Sequence, residues 1–94
     1  MQPVIRKGKD KTTGHSGFPP TLPIEGVSAV RADGIPVVVK GNAFKPHRRK
    51  KKVHQGRAVG GGVVRVNGKP VQRKGDKLTC GDTSANGSSV VRCG

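Results

Sequence analysis

No tryptophan and no tyrosine occur among the 94 residues, and phenylalanine occurs only twice, as Phe18 and Phe44. A large aromatic core is therefore excluded. Leu, Ile, Val and Phe together number 21, close to the apolar content below which chains stay unfolded. Acidic side chains are scarce as well, five against 19 Lys and Arg, for a net charge of +14. No stretch approaches the roughly 20 apolar residues of a membrane-crossing helix. The segment after Met1 lacks the apolar core of an ordinary secretory signal. With 15 Gly and 7 Pro, no window carries helical periodicity.

These absences bound the answer. A chain of this length forms one domain, residues 1–94, and buries only about 60–65% of its unfolded surface. With so little apolar mass it needs a staple: a metal, a disulfide or a partner. Fourteen of the 21 apolar residues are Val, which favours strands. The charge excess points to nucleic acid, an anionic membrane or an acidic protein as possible partners.

What the chain does have is a phrase repeated three times. Pro3-Val4-Ile5-Arg6-Lys7-Gly8, Pro36-Val37-Val38-Val39-Lys40-Gly41 and Pro70-Val71-Gln72-Arg73-Lys74-Gly75 start 33 and then 34 residues apart. A fixed period of this size marks a repeat architecture. The second and third copies are entered by Val30-Arg31-Ala32-Asp33-Gly34 and Val64-Arg65-Val66-Asn67-Gly68. Asp-Gly and Asn-Gly suit two-residue hairpin turns with positive φ. The spacing predicts hairpins over 27–41 and 63–75. The first copy has no entering strand, but Val90-Val91-Arg92-Cys93-Gly94 aligns with Val63-Val64-Arg65-Val66-Asn67. The C-terminal strand, 88–93, is thus expected to pair with the N-terminal one, closing three β-hairpins about a pseudo-threefold axis. Between the hairpins run connections over 9–26, with a short extended piece at 21–24, over 42–62 and over 76–87.

Each phrase is followed by one soft metal ligand: His15 seven residues after Gly8, His47 six after Gly41, Cys80 five after Gly75. His54 adds a fourth. The hairpin turns and these loops lie at opposite ends of their strands, so the donors are expected to gather at one end. Three His and one Cys suit zinc in tetrahedral coordination, and such an ion supplies roughly 10 kcal/mol or more of folding free energy. A Cys80–Cys93 disulfide is the competing use of the thiol. About five strand residues span roughly 16 Å, too far for Cα atoms that must lie within about 7 Å. Cys93 then reads as a small apolar residue equivalent to Ala32 and Val66. The run Arg48-Arg49-Lys50-Lys51-Lys52 reads as a solvated loop suited to phosphate backbones, without the interleaved aromatics of a single-strand binder.

Gly68-Lys69-Pro70-Val71-Gln72-Arg73-Lys74-Gly75-Asp76 resembles the Gly-x-Pro-x-Ala-Arg-x-Gly-Asp signature of PAAR-repeat proteins. Pro3-Val4-Ile5-Arg6 is similar, with Lys9 inserted before Asp10. Gly34 to Asn42 follows the pattern without its Arg and Asp. The resemblance covers essentially the whole chain. It implies a small all-β cone with a zinc site at the apex, held by His15, His47, His54 and Cys80. It also implies a structural, non-enzymatic tip on a trimeric β-helical spike, one copy per trimer, in a phage tail or a type VI secretion system. The repeat fills the sequence, and no effector domain is expected alongside it. Exposed Lys and Arg are expected to meet envelope phosphates during penetration. The alternative is a zinc-stapled, basic nucleic-acid-binding module. An enzyme would need an open metal position and a nearby base, and four donors leave none.

Overall fold

The computed structural model describes residues 2–15, 17–88 and 91–93, Cys93 by its backbone alone. Eight short strands form, β1 (Gln2–Pro3), β2 (Val27–Ala32), β3 (Ile35–Val37), β4 (His47–Arg49), β5 (Lys52–His54), β6 (Arg65–Val66), β7 (Lys69–Pro70) and β8 (Arg92–Cys93). They pair antiparallel as β1–β8, β2–β3, β4–β5 and β6–β7. There is no helix among the described residues.

Turn chemistry sets the first two predicted hairpins. Asp33 and Gly34 have φ of 54° and 77°, and Asn67 and Gly68 have 52° and 77°. Positive φ at both central residues is the type I′ condition, whose twist matches the flanking strands. Ala32 therefore faces Ile35, and Val66 faces Lys69. The third hairpin is made from the two ends of the chain, as the repeat requires. Pro3 pairs with Arg92, just as Pro36 pairs with Arg31 and Pro70 with Arg65. The closing strand was expected from residue 88; Ser89 and Val90 lie outside the described residues, as does the Cys93 side chain.

The three phrases leave their hairpins early and turn towards each other. Ile5 N–H donates to the Gln72 carbonyl at 3.1 Å, Gln72 N–H to Val38 at 2.8 Å, and Val38 N–H back to Ile5 at 2.9 Å. A second cycle runs from Lys7 to Pro36, Lys40 to Pro70 and Lys74 to Pro3, at 2.8–2.9 Å. Equivalent atoms of three copies thus close rings around one axis, which is the expected pseudo-threefold arrangement. Alternation along the phrase divides the core in two. Val4, Val37 and Val71 join Ala32, Val39 and Val66 on the turn side. Ile5 and Val38 join Phe44, Ala58 and Leu78 on the loop side, with Cys80 packed against them.

The end of each phrase is fastened by one side chain. Asp10 accepts the Arg6 N–H at 2.8 Å, Asn42 that of Val39 at 2.8 Å, and Asp76 that of Arg73 at 2.7 Å. Asn42 therefore does the work of the missing acid in the second copy, and Val39, where the other copies have Arg, joins the core instead. Gln72 breaks the apolar pattern of Ile5 and Val38 but is equally buried. Its amide accepts the Gly60 N–H at 2.9 Å and donates to the Ser84 hydroxyl at 3.1 Å and to the carbonyls of Asp76 and Lys77 at 3.2 and 3.3 Å.

The connections add structure of their own. Residues 22–24 run extended against 43–45, through Lys45 N–H to Leu22 and Ile24 N–H to Ala43 at 2.7 and 3.0 Å. The second connection holds an unforeseen hairpin, β4–β5, in which His47 faces His54 across the strands. Its tip is Lys50-Lys51, and Lys50 carries a φ of 54°.

Candidate metal centre

Each predicted donor is placed by a local constraint. His15 opens a tight turn, with reciprocal backbone bonds to Phe18 at 3.2 and 2.7 Å. Gly17 has φ of 84° within that turn. His47 and His54 start and finish the β4–β5 hairpin, so cross-strand pairing puts them side by side. Seven residues of separation give no hint of adjacency until the two-residue turn is known. Cys80 lies on a turn closed by Gly81 N–H to the Leu78 carbonyl at 3.0 Å, and Gly81 has φ of 97°. Its Sγ rests over Gly56, where a Cβ would come within 2.6 Å of the sulfur.

The result is one cluster. One donor atom from each of His15, His47, His54 and Cys80 lies within 4.8 Å of all the others. His15 Nε2 is 3.3 Å from His47 Nε2 and 3.0 Å from His54 Nε2, His47 and His54 Nε2 are 2.5 Å apart, and Cys80 Sγ is 4.0 Å from His47 Nε2. Two nitrogens bound tetrahedrally at about 2.0–2.1 Å from one zinc ion stand roughly 3.3 Å apart. The cluster is on that scale. Cys80 is a free thiol and not half of a disulfide.

The three rings turn their Nε2 atoms towards one another. His47 Nδ1 is 2.8 Å from the Pro19 carbonyl, the kind of outer contact that orients a metal-ligating imidazole. Burial lowers the pKa of His54, and the neighbouring His47 and His15 lower it further, against a smaller opposing pull from Asp82. His54 is therefore held in the neutral form that binds a metal. Phe18 stacks on the His54 ring at 3.9 Å and on His15 at 5.3 Å, with the Arg49 guanidinium 5.8 Å from its centroid.

Asp82 was not anticipated. It is fully buried, and among the described residues its Oδ2 has no hydrogen-bond partner, while it lies 4.0 Å from His47 Nδ1. Its Oδ1 accepts from Thr83 N–H at 2.7 Å and from the Thr13 hydroxyl at 3.2 Å. A buried carboxylate with a spare lone pair is costly, and positive charge a few ångströms away offsets that cost. An acid two residues past Cys80 was the available signal, but nothing in its spacing separates it from a solvated loop acid. Gly56 and Phe18 were also missed as site residues, because their roles are steric.

The arrangement can hold a metal ion with soft and borderline ligands. Four protein donors fill a tetrahedron, so such an ion would shape the fold and would not activate a water. No curated protein sequence matches the chain. The profile of the PAAR motif matches residues 13–86, a span that contains all four donors and the second and third phrases. The first phrase lies ahead of that span, yet its backbone closes the same hydrogen-bonded rings. Motif, threefold closure and donor cluster agree, and the chain belongs to the PAAR-motif family.

Proposed function

We propose that residues 1–94 form one tapered tip domain that caps a trimeric β-helical spike of a contractile injection machine, either a phage tail or a type VI secretion system. Membership of the PAAR-motif family is consistent with a spike-tip role. In this reading His15, His47, His54 and Cys80 hold a structural zinc ion that pins the first and third connections to the β4–β5 hairpin of the second. The work is mechanical and no reaction is catalysed. One copy would serve each spike trimer, and the chain would travel with the spike.

The observation that carries the reading is the closed threefold ring of backbone hydrogen bonds between the phrases. One chain with three equivalent faces can match three identical chains of a partner. An apolar counterpart supports it. Val30, Val64 and Val91 each precede the equivalent arginines of their outer strands and are 41%, 47% and 36% exposed. Val71 N–H bonds the Val64 carbonyl at 3.0 Å, and Val4 N–H bonds that of Val91 at 3.1 Å, so at least two of these positions match in detail. Scattered exposed valines need no explanation, but three at symmetry-related positions form a candidate docking patch.

The test is association with the trimeric spike. Purified chain and spike should form a complex of one chain per trimer, measured by mass. Val30→Asp, Val64→Asp and Val91→Asp together should abolish it while leaving metal content unchanged. A stable complex despite the three aspartates would refute docking through this patch. Preference for one RNA with no spike binding would favour the nucleic-acid module instead.

A further inference from the structure

We infer that the β4–β5 hairpin is a finger that binds the phosphate headgroups of an anionic membrane surface. This does not depend on the spike reading. Five consecutive cations, Arg48 to Lys52, occupy the two strands and the turn. Arg49 and Lys52 stand directly opposite each other, and like charges in that register destabilise a hairpin. Among the described residues no carboxylate forms an ion pair with Arg48, Lys50, Lys51 or Lys52. The turn is costly as well. The two-residue turns of the β2–β3 and β6–β7 hairpins use Asp-Gly and Asn-Gly, whereas here a lysine takes the left-handed conformation at φ 54°, unusual for a long side chain. Local stability would favour a glycine or asparagine at this tip.

The tip is nevertheless well supported. His47 and His54 form its feet, so it is anchored at the donor cluster. The Arg48 Nε donates to the Lys50 carbonyl at 2.8 Å, which ties one strand to the turn. Arg49, Lys50, Lys51 and Lys52 together line one depression, walled mostly by their apolar stems. Long cations bind an interface in this way, with stems on apolar surface and charged heads free to reach phosphate. Two observations favour lipid over nucleic acid. Val53, next to the cations, is 59% exposed and supplies the apolar contact that interfacial binding uses. The aromatic ring of the neighbourhood, Phe18, is stacked on histidines and is not offered to a base.

The experiment is vesicle flotation of the metal-loaded full chain at near-physiological salt. Vesicles contain equal parts phosphatidylglycerol and phosphatidylcholine, with pure phosphatidylcholine as the neutral comparison. One variant combines Lys50→Gln, Lys51→Gln and Lys52→Gln. A matched variant combines Lys7→Gln, Lys40→Gln and Lys74→Gln, three exposed lysines at equivalent phrase positions with the same loss of net charge. The finger variant should lose on the order of a hundredfold in affinity, near the 1 kcal/mol per lysine typical at an anionic surface. The matched variant should stay within about threefold, because its three charges lie outside the hairpin that makes the contact. Val53→Ser should weaken vesicle binding about fivefold and leave duplex DNA binding unchanged. Metal content of each variant reports its fold. Equal losses in the two lysine variants, or wild-type binding to neutral vesicles as strong as to anionic ones, would overturn the proposal. So would Val53→Ser without effect on vesicles combined with tighter binding to DNA than to lipid.

Discussion

Gly56→Ala is the sharpest test of how the centre is built, because it alters no donor. A Cβ at position 56 would lie 2.6 Å from Cys80 Sγ and 2.9 Å from Leu78 Cδ2. Ordinary contact begins near 3.4 Å, so the sulfur has to retreat by about 0.8 Å or the loop has to move. Metal–sulfur bonds tolerate only about ±0.2 Å around roughly 2.3 Å. The thiolate should therefore drop out of a site whose three imidazoles are intact. Loss of metal affinity should be at least the 10–100-fold typical of damaged supporting residues and should approach that of Cys80→Ser. Competition with a zinc chelator measures it. Cobalt substitution adds a specific readout, since the sulfur-to-metal charge-transfer band should vanish in both variants. Gly26→Ala is a suitable control, with contacts no closer than 3.1 Å and none to a donor. If Gly56→Ala binds zinc as tightly as wild type and keeps the sulfur band, Cys80 is not held at the metal as argued.

Other outcomes are expected. Gln72→Val copies the apolar residue of the other phrases, yet it orphans the Gly60 N–H and the Ser84 hydroxyl; a net loss of about 2 kcal/mol should appear as a lower urea midpoint. In the metal-free protein, stability should fall as pH drops below about 6.5. The unfolded chain takes up a proton at His54 there, whereas the folded chain resists it until lower pH; the decline should level off once both states are protonated, and urea midpoints from pH 7.5 to 5 would follow it. Chelation of the metal should lower the thermal midpoint strongly, since ligand binding adds to folding free energy. Asp82→Asn should keep its bonds to Thr83 and Thr13 in part but remove the negative charge, weakening metal binding about tenfold in the chelator assay.

Much of this was legible because turns and periods are local. Asp33-Gly34 and Asn67-Gly68 specify positive φ by composition alone, and the 33- and 34-residue spacings align the rest. Closure of the termini followed from a missing strand at one end and a spare one at the other. His15, His47 and Cys80 were found from their register with the phrase and His54 as an extra donor beside them, and the structure brings all four together. The β4–β5 hairpin was hidden because its turn breaks the residue preference that makes turns readable: nothing in Lys50-Lys51 signals a left-handed residue. Gln72, Asp82 and Gly56 were hidden for another reason. Their roles depend on partners distant in the sequence, Gly60 and Ser84 for Gln72, Thr13 and His47 for Asp82, and Cys80 for Gly56.

The ring through Ile5, Val38 and Gln72 also bears on how the molecule assembles. In an open array, modules stack one after another and can be added or lost. Here the first third of the chain completes the last, so no module has a finished neighbour until all three are present. Assembly should be all-or-none and slow for so short a polypeptide, since distant segments must meet before any of them is rewarded. Evolution can lengthen the connections between the copies, but it cannot delete a copy or insert a fourth without opening the circle.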